Sequence, residues 1–165
     1  PDPEVLEAEI ARALRPLGKP VGHVQRLRQT LQEAMWEDVG VMRTRAGMER
    51  GTTRIAAIAE ELLETGVDGS ALAFNLTWHD WLNMASLLDV SKAIALAGLA
   101  RENSRGAHYR EDFPETGSLE ESYYTLVRQH GDALDVTRAP VAFTIVRPGE
   151  SILPEDAPET LVAQA

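Results

Sequence analysis

The chain has 165 residues, no cysteine and a formal net charge of −10 at pH 7. This length suits one domain, or a compact domain with a small addition. The lack of cysteine excludes disulfides, thiolate zinc sites and cysteine-ligated iron–sulfur clusters within these residues. The acidic balance argues against a nucleic-acid binder, which needs a clustered basic face. Because no apolar run approaches the roughly 20 residues of a membrane-spanning helix, we expect no transmembrane segment.

A short helix is predicted at the start of the chain. Asp2 followed by Pro3 is typical of a helix start, with the aspartate as the cap and the proline in the first turn. Pro16 and Gly18 end this helix. One of its faces carries apolar side chains at Val5, Leu6, Ile10 and Leu14. We assign residues 1–20 to this short helix and a linker.

Two longer helices follow. From His23 the apolar residues recur with a helical period and share one face, at Val24, Leu27, Leu31, Met35 and Val39. Thr44 is predicted to cap the next helix, whose apolar positions are Met48, Ile55, Ile58 and Leu62. Gly51 lies in the first half of that helix. Since glycine costs about 1 kcal/mol relative to alanine within a helix, one interpretation is a break there.

A third long helix is predicted from about residue 78 to residue 103. Its broad apolar stripe comprises Trp78, Trp81, Leu82, Ala85, Leu88, Ala95, Leu96 and Leu99. Three long amphipathic segments with short connections predict an antiparallel, spectrin-repeat-like three-helix bundle. We therefore expect a mainly α fold, with residues 21–116 forming the bundle.

The pattern changes after Pro114. Residues 123–128 and 133–137 have the composition of β-strands, and His130-Gly131-Asp132 is typical of the turn between them. Residues 140–146 are a candidate for a further strand. We assign residues 117–147 to a small β appendage, which would be marginal alone and needs a surface to pack against. Acidic and small residues predict a loose tail over residues 148–165.

The segment at the end of the third helix concentrates charged residues around a glycine. Arg101 and Arg105 would lie in its last turns, where positive charge complements exposed helix carbonyls, and Gly106 suits the left-handed conformation that ends a helix. Arg110 and Asp112 point the same way if the segment is extended, so they could pair or reach a common partner surface. Two interpretations stay open: a helix cap with surface ion pairs, or an edge that docks a cofactor-bearing domain.

Other polar groups suggest chemistry only weakly. Four histidines, spread over different elements, argue against a metal site because structural zinc needs four close ligands; they are His23, His79, His108 and His130. Glu37 and Asp38 could pair with His79 across the bundle, although surface charge is the simpler interpretation. Ser104, His108 and Asp112 have the residue types of a hydrolase triad but lack the nucleophile elbow.

Arginines and tryptophans each allow two interpretations. The local basic patch near the start of the second long helix is a solvated helix surface by default, or else a contact with another domain; it comprises Arg43, Arg45, Arg50 and Arg54. The three tryptophans fall on apolar stripes, which favours core or interdomain packing over ligand stacking; they are Trp36, Trp78 and Trp81.

Two strings of residues carry a resemblance to a known family. The residues from Ser104 to Pro114 resemble the Ser-Arg-Gly-Ala-His-x-Arg-x-Asp-Phe-Pro pattern of succinate dehydrogenase and fumarate reductase flavoproteins. The residues from Met35 to Thr44 are similar to the Met-Trp-Asp-x-Val-Gly-Ile-x-Arg-Thr region of the relative L-aspartate oxidase. The two matches stand in the family's order, and the resemblance covers roughly residues 23–116. The residues after Pro114 depart from the succinate dehydrogenase pattern, which leaves the subfamily open.

The resemblance implies a C-terminal helical domain of an FAD-dependent oxidoreductase, preceded in the full polypeptide by a flavin-binding domain and a capping domain. It implies that the parent enzyme transfers a hydride between FAD and a dicarboxylate such as succinate or fumarate, or aspartate. The family's flavin and substrate residues belong to those earlier domains, so no catalytic, cofactor-binding or metal residue is assigned here. The Gly-rich turn that a dinucleotide site needs does not occur in this sequence.

The role that the resemblance implies for this region is structural. The implied partners are the flavin-binding domain of the same polypeptide and an iron–sulfur subunit. The implied location is cytoplasmic or peripheral at the inner membrane through partner subunits. The residues assigned to interdomain docking are Arg105, Gly106, His108, Arg110 and Asp112. The alternatives are a stand-alone helical interaction module without redox chemistry, and a hydrolase with a pocket near Ser104 and His108.

Overall fold

The computed structural model describes residues 2–131 and 133–150. In this part, the helices are α1 (Pro3–Leu14), α2 (Val24–Val39), α3 (Arg45–Glu64) and α4 (Leu76–Ala100), with a 3₁₀ turn at Arg15–Gly18. The strands are β1 (Met42–Arg43), β2 (Tyr109–Arg110), β3 (Tyr123–His130) and β4 (Ala133–Pro140). The described chain is therefore mainly helical with small two-stranded sheets, which confirms that part of the predicted fold class.

The starts of α1, α3 and α4 are capped by short polar side chains, which accept hydrogen bonds from backbone N–H groups that have no partner inside the helix. Asp2 Oδ1 accepts from the N–H of Glu4 at 3.0 Å, and Thr44 Oγ1 accepts from the N–H of Gly47 at 3.1 Å. These caps were predicted. The cap of α4 is Asn75, whose Oδ1 accepts from the N–H of Trp78 at 3.0 Å, so α4 begins slightly before the predicted start.

The core lies where α2, α3 and α4 pack against one another. Its buried apolar side chains come from all three helices; they include Leu27, Leu31, Val39, Ile55, Ile58, Leu62, Trp81, Met84, Leu88 and Ala95. The predicted stripes of α2 and α3 supply the first six, because a 3.6-residue period places those positions on one face. In contrast, none of the residues Pro3–Leu14 is buried.

Gly51 does not interrupt α3, so the interpretation as a break is wrong. The helix runs without a gap from Arg45 to Glu64. A Cβ atom at residue 51 would lie 2.8 Å from Val39 Cγ2 and 3.0 Å from Asp38 Cβ. The missing side chain therefore lets α3 approach the end of α2 closely.

The end of α4 differs from the prediction. The helix ends at Ala100 rather than near Asn103, and the N–H of Arg101 donates to the Gly98 carbonyl at 3.3 Å. Gly106 is not the helix-ending residue. It has the predicted positive φ, of 56°, but in a tight turn further along the chain, where Arg105 and His108 exchange backbone hydrogen bonds of 2.9 and 3.0 Å.

The length and apolar composition of α4 correct the expectation that the chain has no segment able to span a membrane. Within the described ranges, α4 is the one helix long and apolar enough to cross a membrane by length and composition alone. The expectation that no segment approaches that threshold was therefore too strong. A single helix of this kind is weak evidence for a membrane span, because core helices meet the same two criteria, and α4 packs against α2 and α3.

The C-terminal strands form an antiparallel hairpin, as predicted, in which Tyr123 is opposite Pro140 and His130 is opposite Ala133. The hairpin packs against the end of α4, where Arg138 donates to the Ala100 carbonyl at 2.9 Å. The further strand over residues 140–146 is wrong: only Pro140 belongs to a strand, and pairing beyond it stops after one bond to the Ser122 carbonyl. The predicted turn residue Asp132 and residues 151–165 of the predicted tail lie outside the described residues.

Candidate functional site

The two strings that carry the family resemblance meet in space. β1 and β2 pair in parallel, with Met42 opposite Tyr109 and Arg43 opposite Arg110. The N–H of Glu111 then donates to the Arg43 carbonyl at 2.9 Å. This pairing joins the end of α2 to the segment after α4. We call the polar cluster beneath it, formed by Arg43, His108, Arg110 and Asp112, the ionic junction.

Arg110 is the centre of the ionic junction. Its side chain is completely buried, and its guanidinium makes a bidentate pair with Asp112 through two hydrogen bonds of 2.7 Å. Nη1 also donates to the carbonyls of Gly98, Leu99 and Arg101 at 3.1–3.2 Å. Carbonyls at the end of a helix lack the full set of partners found inside it, so Arg110 caps α4 from a position ten residues beyond its last residue.

Asp112 connects that cap to the start of α3. Its Oδ2 accepts a hydrogen bond of 2.8 Å from the N–H of Arg45, the first residue of α3. A carboxylate is stabilised at a helix N-terminus by the positive end of the helix dipole. The Arg110 guanidinium, and secondarily the Arg45 N–H, hold the pKa of Asp112 well below its usual value, although partial burial opposes the shift. The predicted pairing of Arg110 with Asp112 is therefore confirmed.

His108 connects α2 to the end of α4. Its Nδ1 lies 2.7 Å from Arg43 Nη1, and its Nε2 lies 3.2 Å from the Arg101 carbonyl. Because a guanidinium can only donate, Nδ1 must accept, and the ring proton must be on Nε2. Burial lowers the pKa of His108, as do the charges of Arg43, Arg101 and Arg110, while the bond to the Arg101 carbonyl opposes the shift.

Arg43 completes the junction on the α2 side. Its Nε donates to the carbonyls of Val39 and Gly40 at 3.1 and 2.7 Å, at the C-terminal end of α2. Arg43 and Arg110 thus cap two different helices from paired strands. Both point inward, as the alternation of a strand requires, while Met42 and Tyr109 point outward and are exposed.

Arg105 and Gly106 lie between the end of α4 and the β hairpin. The Arg105 guanidinium donates to the carbonyls of Thr116 and Ser118 and to the hydroxyl of Ser122, at 2.5–2.8 Å. Gly106 is exposed, and a Cβ atom there would meet open space. Arg105 is therefore bonded within the chain, whereas the Gly106 turn stands free on the surface of the described structure.

Ser104 has no triad geometry. Its hydroxyl donates to the carbonyl of Phe113 at 2.8 Å and accepts from the N–H of Arg110 at 2.8 Å. His108 and Asp112 face other partners, as described above. The serine, histidine and aspartate therefore tie the loop together rather than form a charge relay, and the hydrolase interpretation loses its basis.

Three arginines of the basic patch near the start of α3 are paired with carboxylates, and Arg45 contacts Glu102 at 2.6 Å. Arg50 and Arg54 both contact the buried Asp38, each at 2.9 Å. Arg54 also contacts Glu37 at 2.6 Å. Asp38 is on the buried stripe of α2, which explains why it needs two cations. The carboxylate–histidine pair with His79 does not form.

The tryptophans are in three different environments. Trp81 is buried, and its Nε1 donates to the Leu62 and Thr65 carbonyls at 3.1 and 2.9 Å. Trp78 is half-buried and donates to the Ala13 carbonyl at 2.7 Å, which holds the end of α1. Trp36 is 80% exposed. The prediction that Trp36 lies on the apolar stripe is wrong, because the buried face of α2 runs through Leu31, Ala34 and Asp38.

The contacts of the ionic junction support a structural role. Each charged side chain of the junction is neutralised or hydrogen-bonded by another described group, and the hydroxyl of Ser104 is engaged. Among residues 2–131 and 133–150, no group of three or more His, Asp or Glu residues could hold a metal ion. What the junction does is fix the relative positions of three helix ends.

Sequence reasoning missed Arg43 and the Arg45 N–H as members of this cluster. Two-residue strands are too short to produce an alternating pattern, so nothing local predicts that residues 42–43 pair with residues 109–110. The family resemblance was a usable signal. Both strings match the same family in the same order, and two segments that contact each other in a family's fold would both be kept in this way.

Comparisons with known proteins agree with this resemblance. A family model described as fumarate reductase flavoprotein C-term matches residues 28–154. One relative, a component of the fumarate reductase (CoM/CoB) of Methanothermobacter marburgensis, is 38% identical over 90 residues, which are 54% of this chain and 16% of that protein. The fumarate reductase flavoprotein subunit of Mycobacterium tuberculosis is 31% identical over 148 residues, 89% of this chain and 25% of that protein.

A solved structure is similar over most of the chain. Sdh1 of Mycobacterium smegmatis, in complex with UQ1, superposes with a TM-score of 0.72 at 27% identity, covering 85% of this chain and 24% of Sdh1. The chain thus spans a quarter or less of the length of these three proteins.

Proposed function

Because this chain belongs to the family of fumarate reductase flavoprotein C-terminal domains, we propose that it supports the redox site of a longer polypeptide by packing against its flavin-binding domain. The observation that carries the proposal is the ionic junction. It connects the ends of α2 and α4 to the start of α3, and it leaves its charged groups occupied within the domain. A cluster built in this way holds a scaffold in one shape and takes no part in chemistry itself.

The architecture that suits this role is an antiparallel three-helix bundle formed by α2, α3 and α4 within residues 21–116. The shared core of these helices and the short connection between α2 and α3 support that arrangement. In this proposal residues 1–20 are a separate helix and linker and residues 117–147 a β appendage, and the division at residue 148 stays a prediction from the sequence. The change from helices to strands between Ala100 and Tyr123 supports the division between the bundle and the appendage.

In this proposal the residues assigned to docking have two different roles, some holding the segment in place and some forming its free surface. They are Arg105, Gly106, His108, Arg110 and Asp112. Arg110 is buried, and His108 and Asp112 are bonded within the domain. These three therefore act by holding the docking segment in place. The free surface of the segment is the Gly106 turn, with Tyr109 beside it.

FAD is bound, in this proposal, by residues outside this chain. A dinucleotide pyrophosphate needs a helix N-terminus with free backbone N–H groups behind a Gly-rich turn. The N-termini of α1, α3 and α4 are occupied by Asp2, Thr44 and Asn75, and the Asp112 carboxylate at the start of α3 would repel a phosphate. α2 follows a loop rather than a strand. The residues present therefore do not fit FAD.

The parent polypeptide is, in this proposal, an FAD-dependent oxidoreductase acting on succinate, fumarate or aspartate. It works with an iron–sulfur subunit, and it is cytoplasmic or peripheral at the inner membrane through its partners. Support comes from relatives named as fumarate reductase subunits. The stand-alone interaction module stays as the alternative, and the coding region upstream of residue 1 distinguishes the two: a strand, a Gly-rich turn and a helix there support the parent enzyme.

A paired assay tests the proposal. The full polypeptide and this chain are each titrated with FAD and then assayed with succinate, fumarate or aspartate and a dye electron acceptor. We expect flavin binding and turnover in the full polypeptide and neither in the chain. Saturable flavin binding by the chain, or a full polypeptide that binds no flavin, would contradict the proposal.

A further inference from the structure

A cluster of exposed apolar side chains lies on the outer side of the β1–β2 pair. It comprises Trp36, Val41, Met42 and Tyr109, which are 80%, 67%, 62% and 40% exposed. Met42 and Tyr109 are neighbours because they are register partners, and Trp36, Val41 and Met42 line one surface depression. We call these four residues the Trp36 surface. Single exposed apolar side chains are ordinary, whereas a contiguous group marks a contact surface.

The Trp36 surface has a rigid backing. Trp36 is in the last turn of α2, and Met42 and Tyr109 are on strands whose next residues, Arg43 and Arg110, belong to the ionic junction. Tryptophan, tyrosine and methionine are enriched in the centres of protein contacts. A surface already held in place loses little conformational freedom when it binds. The composition and the backing therefore both favour a contact.

We propose that the Trp36 surface is where this domain contacts the flavin-binding domain of its own polypeptide, an inference that rests on the function proposed above. The chain spans 25% of the Mycobacterium tuberculosis relative and 24% of Sdh1, so most of such a polypeptide is outside it. The facing surface must offer an apolar recess for the Trp36 indole and an acceptor for its N–H group.

The small size of the surface favours a tethered domain over a second copy of the chain. A stable contact between separate proteins buries about 800 Å² on each partner, which four side chains alone do not provide. A domain on the same polypeptide needs less area, because the covalent link keeps its effective concentration in the millimolar range.

Side-chain oxidation by hydroxyl radicals, read by mass spectrometry, tests the proposal in the flavin-loaded full polypeptide at a concentration where it is monomeric. We expect Trp36, Met42 and Tyr109 to react about tenfold more slowly than in the same polypeptide unfolded in urea, as buried contact residues do. Trp36 that reacts at nearly the unfolded rate while flavin is bound would overturn the proposal and leave the proposed function standing. So would protection that appears only on dimerisation or on adding a partner protein.

A variant pair gives an independent test. Trp36→Glu is compared with Phe74→Glu in the full polypeptide, because Phe74 is 99% exposed and away from this surface in sequence. We expect Trp36→Glu to raise the rate of protease cleavage between the domains about tenfold, as a charge buried in an apolar contact would, and Phe74→Glu to leave it within about twofold. Equal rates for both variants would overturn the proposal. A full polypeptide that contains no flavin would instead remove the proposed function, and this inference with it.

Discussion

The inner and outer sides of the β1–β2 pair use its four residues in opposite ways. Arg43 and Arg110 point inward and cap the ends of α2 and α4, whereas Met42 and Tyr109 point outward and are exposed. Because a strand alternates its side chains, one short pairing builds a stabilising cluster on one side and a contact surface on the other. The two strings that carry the family resemblance therefore determine two properties, the stability of the fold and the contact surface. Substitutions on one side of the pair should change one property and leave the other unchanged.

Replacing Arg110 should have the largest effect on folding stability. Arg110→Met keeps a long side chain but removes the cap of α4 and leaves Asp112 without its guanidinium. We expect a loss of about 3–5 kcal/mol in the free energy of unfolding, typical of removing one partner of a buried pair. Urea unfolding of the chain, followed by circular dichroism, measures it.

Arg110→Lys is the control for charge alone. Lysine keeps the positive charge but cannot make the bidentate pair and the three carbonyl bonds together. We expect an intermediate loss. A stability of Arg110→Met within about 1 kcal/mol of the original chain would mean that the junction does not hold the fold.

Asp112→Asn should be the next largest change and should depend on pH. The loss expected at pH 7 is about 2 kcal/mol, since hydrogen bonds to charged groups contribute about 1.5–3 kcal/mol. Asp112 has a lower pKa in the folded chain than in the unfolded chain. Its contribution is therefore complete above the usual value of about 4 and is lost as the pH falls below it.

Unfolding titrations from pH 7 to pH 2 check this. The gap in unfolding free energy between the original chain and Asp112→Asn should narrow steadily below about pH 4, because the unfolded chain then binds a proton that the folded carboxylate does not. A gap that stays constant across this range would show that the ion pair does not account for the difference.

Gly51→Ala tests the close approach of α3 to α2. Alanine would gain about 1 kcal/mol of helix propensity, but its Cβ would lie 2.8 Å from Val39 Cγ2. Overpacking of this kind costs about 1–3 kcal/mol, so we expect a net loss of about 1 kcal/mol in thermal or urea unfolding. Gly18→Ala is the matched control, because its Cβ would meet open space. Stabilisation by Gly51→Ala would contradict the predicted contact.

His108→Asn should have a smaller effect on stability, and that effect should change with pH in the mildly acidic range. The folded chain binds a proton at His108 less tightly than the unfolded chain, because its pKa is lowered. The contribution of His108 is therefore complete above the usual value of about 6.5 and declines as the pH falls through it. Melting temperatures measured from pH 8 to pH 5 should decline less steeply for His108→Asn. Parallel curves would exclude a role for His108 titration.

The sequence predicted those parts of the fold that depend on local signals. The helical period identified Leu27, Leu31 and Ile58 as core residues, and short polar residues identified the caps at Asp2 and Thr44. Both signals act within a few residues of the chain, so they can be read without knowing the tertiary structure. The hairpin was predicted for the same reason, from two β-rich runs around a Gly-containing turn.

The parts that failed depend on distant contacts. The end of α4 is set by Arg110, which lies ten residues beyond it, and the β1–β2 pair is too short to leave a pattern. Trp36 was misplaced because it follows the apolar Met35, although a helix turns about 100° per residue and carries Trp36 away from the core. The candidate site was therefore half predictable: the pairing of Arg110 with Asp112 was, and its connection to Arg43 and α3 was not.

Replacing Trp36 should have the smallest effect on folding stability. This replacement tests most directly whether the inner side of the β1–β2 pair stabilises the fold while the outer side does not. Urea unfolding of Trp36→Ala, measured beside Arg110→Met, should give a free energy of unfolding within about 0.5 kcal/mol of the original chain, because an exposed side chain contributes little to the fold. If Trp36→Ala instead destabilises the chain as much as Arg110→Met does, the outward residues are part of the folded core and the separation between stabilising cluster and contact surface is wrong.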